Sequence, residues 1–403
     1  MAYLSLLRAP HVARLLLGSW VGRLPSAMAA LTIPLALRRA GASYGFVGTA
    51  AGTFAIAAAV GAPLLGRAVD RWGQARVLAP TAVLSAAGFV TVALAPGHTF
   101  LVLLGTALAG AMTPPLESCL RVLWPEIAPR GRLETAYALD SVAQELVFVA
   151  GPLVVTACVA VQSPVLALLV QALLGMLGVV VVATAAPSRR WKAATRSSHW
   201  LGPLRSPLLV TLLAALAGTG FAIGTLNVLV VSYAEHRPVP GGAPVLLALN
   251  AGGALIGVLV YGARSWSGTP ATRAVLFALG LVTGYGLLTL LPPPPYMHAL
   301  MLLTGVFLAP LLTVMFLLVG KLAPPGTTSE AFAWLVTLFA SGTSLGSAAV
   351  GTVLQHTDQH RAAACGVLGT LVTLAILALG RRRLSAVHAE ASEAPEAALP
   401  ADA

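Results

Sequence analysis

Long apolar stretches alternate with short clusters of charge, proline and glycine along the whole chain. A bilayer-spanning helix needs about 20 mainly apolar residues. By that measure the pattern predicts spans at 12–37, 43–65, 76–95, 99–123, 135–160, 164–186, 207–233, 243–263, 273–292, 296–320, 329–353 and 362–380. The two closest junctions are broken by Pro164 and by the run Pro292–Pro295, since proline ends helices. A basic stretch at 187–206 divides the spans into two sets of six. One offset of 196 residues carries Gly66 onto Gly262, Ala109–Pro114 onto Gly305–Pro310, and Glu134 onto Glu330. The expected fold is an all-α membrane protein of twelve transmembrane helices in two pseudo-symmetric six-helix bundles. The expected organisation is an N-terminal bundle at 1–186, a linker at 187–206, a second bundle at 207–380 and a disordered tail at 381–403.

Composition agrees with that picture. The chain is 58% hydrophobic and only 9% charged, which excludes a soluble globular enzyme and a disordered chain alike. The net charge of +11 would suggest nucleic acid in a soluble protein. Here it marks orientation. With the N-terminus inside, 18 of the 24 basic residues fall on the cytoplasmic side; Arg38, Arg39, Arg237 and Arg361 fall outside. Both termini are therefore expected in the cytoplasm. Cys119, Cys158 and Cys365 stand singly, so neither a disulfide framework nor a metal site is expected.

The connection between the second and third spans reads Gly66-Arg67-Ala68-Val69-Asp70-Arg71-Trp72-Gly73-Gln74-Ala75-Arg76. Gly66, Asp70, Arg71 and Gly73 match G-x-x-x-D-R-x-G-R-[RK], the signature loop of the major facilitator superfamily. Gln74 and Ala75 replace its basic pair, and Arg76 follows one place later. The chain thus resembles that superfamily over its whole length, and among its members bacterial, actinobacterial-type drug and metabolite efflux proteins. The resemblance implies the major facilitator fold. It places Asp70 against the start of the eleventh span, holding the cytoplasmic side shut in one state. Gly151-Pro152 in the fifth span resembles part of the drug–proton antiporter motif and predicts a hinge. The fourth span lacks the arginine many antiporters carry; Thr106 stands in its place. The family's cavity, between the halves, points to Met28, Met112, Phe221 and Met315 as lining residues.

Ionisable residues inside spans are costly and functional by default. Here they are Arg23, Glu117, Arg121, Asp140 and Glu145, all in the first half. Arg23 and Glu145 lie at like depth, near mid-bilayer, on spans that are neighbours in the superfamily. They are expected to pair, with proton uptake on Glu145 releasing Arg23. Glu117 and Arg121, four apart, share a helix face. With Asp140 they form an expected cytoplasmic network. Glu134 and Glu330 are expected to meet Arg71 and Arg76. The second half offers only modest polar groups: Asn227, Asn250, Thr219 and Tyr233.

The function this implies is proton-coupled export of small lipophilic or amphipathic compounds by alternating access. An importer or uniporter of a small metabolite is the alternative on the same fold. A receptor or enzyme is disfavoured, because no H-E-x-x-H, no G-x-S-x-G with a partner histidine and no phosphate loop occurs. The expected partners are a small-molecule substrate, protons and the lipid bilayer, with no nucleic acid and no cofactor. The chain is read as a monomer in a bacterial cytoplasmic membrane.

Overall fold

The computed structural model describes residues 2–193, 201–264 and 266–393. Among them are fifteen α-helices and no strand: α1 (Ala2–Leu7), α2 (Val12–Arg39), α3 (Tyr44–Trp72), α4 (Gln74–Leu94), α5 (Thr99–Ala111), α6 (Leu116–Ile127), α7 (Leu133–Val161), α8 (Pro164–Ala183), α9 (Ala186–Arg190), α10 (Pro207–His236), α11 (Gly242–Ala263), α12 (Pro270–Leu288), α13 (Pro294–Leu322), α14 (Thr328–His356) and α15 (Gln359–Glu393). Twelve segments are long and apolar enough to cross a membrane, α5 and α6 together forming one of them. Prolines and hydroxyls start these helices where the sequence placed the breaks. Ser163 accepts a hydrogen bond from Leu166 N ahead of Pro164, and Ser206 accepts one from Leu209 N ahead of Pro207.

Three boundaries differ from the expected ones. The second span was expected to end at residue 65, but α3 stays helical to Trp72, so Asp70 lies in its last turn rather than past its end. Hydropathy marks where the lipid stops, and a helix can continue into water. The link to α4 is the single residue Gly73 at φ +89°, a conformation that glycine alone adopts cheaply. The fourth span breaks at Met112–Pro115, where two consecutive prolines remove backbone donors. The tail begins as helix: α15 runs to Glu393, and residues 394–403 lie outside the described residues, as does Arg196 of the linker.

The chain forms two compact units. The first contains Met1–Pro203, with Val258–Ala263 from the end of α11 and Pro324–Ser341 from the start of α14. In it α2 packs on α7 and α8, α4 on α5 and α8, and α3 on α5. Ile33, Leu37, Phe89, Val92 and Leu168 make one core cluster; Leu24, Met28, Val147 and Val155 make another. The second unit contains Leu204–Gly257, Arg264–Ala323 and Gly342–Ala403, with α10 and α12 each packed on α13 and α15. Met28 and Met315, expected to line a cavity, are both fully buried, Met28 in the second of those clusters. An apolar side chain carries no sign of which way its helix is turned. Met112 and Phe221 keep partial exposure.

Candidate transport machinery

Four ionised side chains meet inside the first unit. Arg23 on α2 donates from Nη1 to Asp140 Oδ1 on α7 at 2.8 Å. Arg121 on α6 donates from Nε to Asp140 Oδ2 at 2.8 Å. One carboxylate thus bridges two guanidinium groups, and it is 0% exposed. Glu117, one turn before Arg121, lies 2.5 Å from Arg121 Nη2 and 3.7 Å from Arg23 Nη2. Arg23 also bonds Gln144 Oε1. Tyr137 donates its hydroxyl to the Arg121 carbonyl at 3.3 Å, and the Arg121 guanidinium stands 5.9 Å from the Phe332 ring centre. Two positive and two negative charges balance. A lone charge there would cost several kcal/mol, whereas a paired and hydrogen-bonded set is tolerated.

This arrangement corrects the expected Arg23–Glu145 pair. Asp140 and Gln144, four apart, share the α7 face turned to Arg23. Glu145 is about 100° further round the helix. Among the described residues it makes neither an ion pair nor a side-chain hydrogen bond. Depth along a helix axis brought Arg23 and Glu145 level; azimuth separates them. Glu117, Arg121 and Asp140 do come together as expected, and Arg23 joins them. Gln144 escaped the sequence reading because a neutral amide raises no alarm in an apolar run.

The second constellation is a latch at the end of α3. Asp70 accepts from Ser329 N at 3.0 Å and from Glu330 N at 2.9 Å, capping the N-terminus of α14. Gly66 makes this approach possible: a Cβ there would lie 2.8 Å from the Glu330 Cα. Arg67 donates to Glu330 Oε2 at 2.9 Å and Oε1 at 2.7 Å, a two-pronged pair. The expected partners of Glu330 were Arg71 and Arg76. Both are exposed instead, and Arg71 lies 5.7 Å from the Trp72 ring centre. Because α3 continues through the motif, Arg67 and Asp70, three apart, share the face turned to α14. Asp70→Asn keeps a capping oxygen but loses the charge. It is expected to weaken the latch by about 1 kcal/mol, roughly a fivefold shift toward the open form. The maleimide labelling rate of a cysteine at the buried Ala333, with native cysteines removed, should rise by that factor; an unchanged rate would remove the latch.

A second set of contacts lies at the 196-residue repeat of these positions. Thr135 on α7 donates to the Gly262 carbonyl at 2.9 Å, and Tyr261 donates to Glu134 at 3.3 Å. Glu134 therefore meets a tyrosine here. Where Asp70 stands in the first latch, the repeat offers Trp266. The short α1 fills in: Tyr3 donates to the carbonyls of Val258 and Leu259, each at 3.1 Å. Burial pushes the Tyr3 hydroxyl up from 10.0 to about 12. Its contribution is therefore intact below pH 10 and lost between pH 10 and about 12. Tyr3→Phe should lower the melting temperature by an amount that is constant between pH 6 and 9, corresponding to about 1 kcal/mol.

The family profile of the Major Facilitator Superfamily matches residues 15–347. The chain belongs to the major facilitator superfamily. Its fold resembles a bacterial homologue of the iron transporter ferroportin in an outward-facing state, with a TM-score of 0.75 at 15% identity, covering 94% of this chain and 99% of that one. It also resembles the Escherichia coli fucose:proton symporter FucP, with a TM-score of 0.71 at 14% identity over 91% of this chain and 97% of that one. A third likeness is to the human organic anion transporter MFSD10, with a TM-score of 0.68 at 16% identity over 92% and 100%. No curated protein matches the chain in sequence. As a superfamily member the protein is a multi-pass membrane transporter working by alternating access, and not an enzyme. No group of three or more His, Cys, Asp or Glu among the described residues could hold a metal ion. Gly151, the expected hinge, sits where α7 meets α2, a Cβ there lying 2.8 Å from the Ala27 Cβ; α7 continues unbroken through Pro152.

Proposed function

We propose that this transporter couples proton movement to export of small lipophilic or amphipathic compounds, with Glu145 as the proton-carrying group. The observation that supports this is the contrast between two carboxyls on α7, the buried Asp140 and the half-buried Glu145. Asp140 is committed to two guanidinium groups. Glu145 is committed to none among the described residues. Loading a proton on Asp140 would leave two buried cations to share Glu117, at a cost of several kcal/mol. Loading one on Glu145 breaks no ion pair. The four-charge network then serves as a strut joining α2, α6 and α7, and the Asp70 and Arg67 contacts to α14 serve as the inner gate. The excess of basic residues at the terminus-bearing end supports a cytoplasmic location for that gate.

The lipophilic substrate class is supported by the second unit. Asn250 donates to Thr304 Oγ1 at 2.9 Å and to the Met301 carbonyl at 3.2 Å. Thr219 bonds the Ala215 carbonyl and Thr373, and Tyr233 donates to the Pro292 carbonyl. These polar groups are spent on the unit's own helices, and of the four only Asn227 is exposed. A sugar would need many free polar partners. Uptake of a panel of lipophilic cations and antibiotics into inverted vesicles tests the reading. Accumulation that follows an imposed pH gradient is expected; accumulation indifferent to it would refute proton antiport.

A further inference from the structure

A crevice within the first unit has an unusual lining. It lies beside the α5–α6 break, bordered by Pro25 and Ser26 of α2, Ser85 of α4, Thr113 and Pro114 of the break, and Gln171 of α8, with room for one water-sized occupant. The hydroxyl protons of Ser85 and Thr113 and one amide hydrogen of Gln171 are already used; the second Nε2 hydrogen and the hydroxyl of the exposed Ser26 are the donors that remain. Ser85 and Thr113 both donate their hydroxyls to the Ala109 carbonyl, each at 3.0 Å. That carbonyl is free for them because Thr113 N bonds Gly110 O instead. Gln171 donates Nε2 to the Pro25 carbonyl at 2.7 Å. Since a carbonyl can only accept, the amide's orientation is settled, and Gln171 Oε1 is an acceptor left over. It is buried, on a residue 0% exposed, and has no partner. Pro25 and Pro114 offer no N–H.

Three oxygens of this lining offer lone pairs: Gln171 Oε1, and the hydroxyl oxygens of Ser85 and Thr113, whose protons are spent. Such a lining calls for an electron-poor occupant. The break adds unwound backbone at Met112–Pro115, between the C-terminus of α5 and the N-terminus of α6, whose partial charges are opposite in sign. Discontinuous membrane helices use unwound backbone and half-helix C-terminal ends to hold small cations. No carboxylate lines the crevice, which argues against a divalent ion, whose sites are built around carboxylates.

We propose that this crevice binds a single alkali cation, sodium by its size, on Gln171 Oε1, Ser85 Oγ and Thr113 Oγ1. Occupancy would tie α4 and α8 to the broken fourth span, on the face of α2 where Pro25 and Ser26 lie. The site is separate from the carboxyl proposed to carry the proton and does not depend on that reading.

The test is the melting temperature of the purified full chain in detergent, in NaCl, KCl or choline chloride at equal ionic strength. Sodium is expected to raise it by about 2 °C or more over choline, with saturation, and potassium by less. Thr113→Val and Ser85→Ala each remove one oxygen at almost unchanged volume; each should abolish most of the sodium shift while the choline value moves little. Should either variant unfold, binding of radioactive sodium to the wild-type chain, displaced by unlabelled sodium and not by choline, carries the test. Equal melting in sodium and choline with no displaceable binding would mean the crevice holds a water, and would overturn the proposal. A sodium shift that survives both substitutions would place the ion elsewhere and overturn it equally. Melting requires no transport, so the outcome stands whichever ion drives the cycle.

Discussion

Asp140→Asn is expected to destabilise the transporter by about 3–5 kcal/mol, enough to remove most folded protein from the membrane. The size follows from the geometry. Asp140 holds Arg23 with one oxygen and Arg121 with the other, each at 2.8 Å. Asparagine is nearly the same shape, so packing changes little. What changes is charge: two buried guanidinium groups are left to share Glu117, and the asparagine NH2 faces one of them. Charge balance gives a sharper test than loss of folding alone. Asp140→Asn combined with Arg121→Gln leaves one cation and one carboxylate, Arg23 and Glu117, in contact at 3.7 Å. The double variant should recover folded yield, measured by fluorescence-detected size exclusion, that the single variant lacks. A double variant as poor as the single would mean that shape, rather than balanced charge, holds these helices together.

How far the sequence anticipated this site depends on which coordinate is asked for. Position along the membrane normal was legible. Hydropathy located twelve spans, and the ionisable residues inside them were few enough to pick out. Arg23, Glu117, Arg121 and Asp140 do converge. Rotation about each helix axis was not legible, because an all-apolar helix has no polar face to orient it. That is why Arg23 was assigned to Glu145 when it meets Asp140, and why Met28 and Met315 were placed at a cavity when they pack in the core. Asp70, singled out with Gly66 by the motif, meets the start of α14. Glu330 was expected to meet Arg71 and Arg76, and it meets Arg67 instead. The α5–α6 break at Pro114-Pro115 was not anticipated, because the apolar run continues on both sides of it. The role of α1 had no sequence signal: a six-residue helix with one tyrosine acquires meaning only from the carbonyls it reaches.

Glu145→Gln carries the second large effect. It should abolish gradient-driven transport while leaving folded yield unchanged, because no hydrogen bond or ion pair among the described residues is lost with the carboxylate. The contrast with Asp140, five residues away on the same helix, is what separates a proton site from a strut. A folding defect in Glu145→Gln would show that the carboxyl has a structural partner. Normal folding with normal coupling would show that protons travel elsewhere.

The most direct measurement uses inverted vesicles containing wild-type or Glu145→Gln protein at matched abundance, loaded with a substrate found for the wild type. Substrate accumulation is followed with and without an imposed pH gradient. The expected result is accumulation above equilibrium in the wild type only with the gradient, and in Glu145→Gln only equilibration, at the same rate with or without it. Gradient-driven accumulation by Glu145→Gln equal to that of the wild type would contradict the assignment.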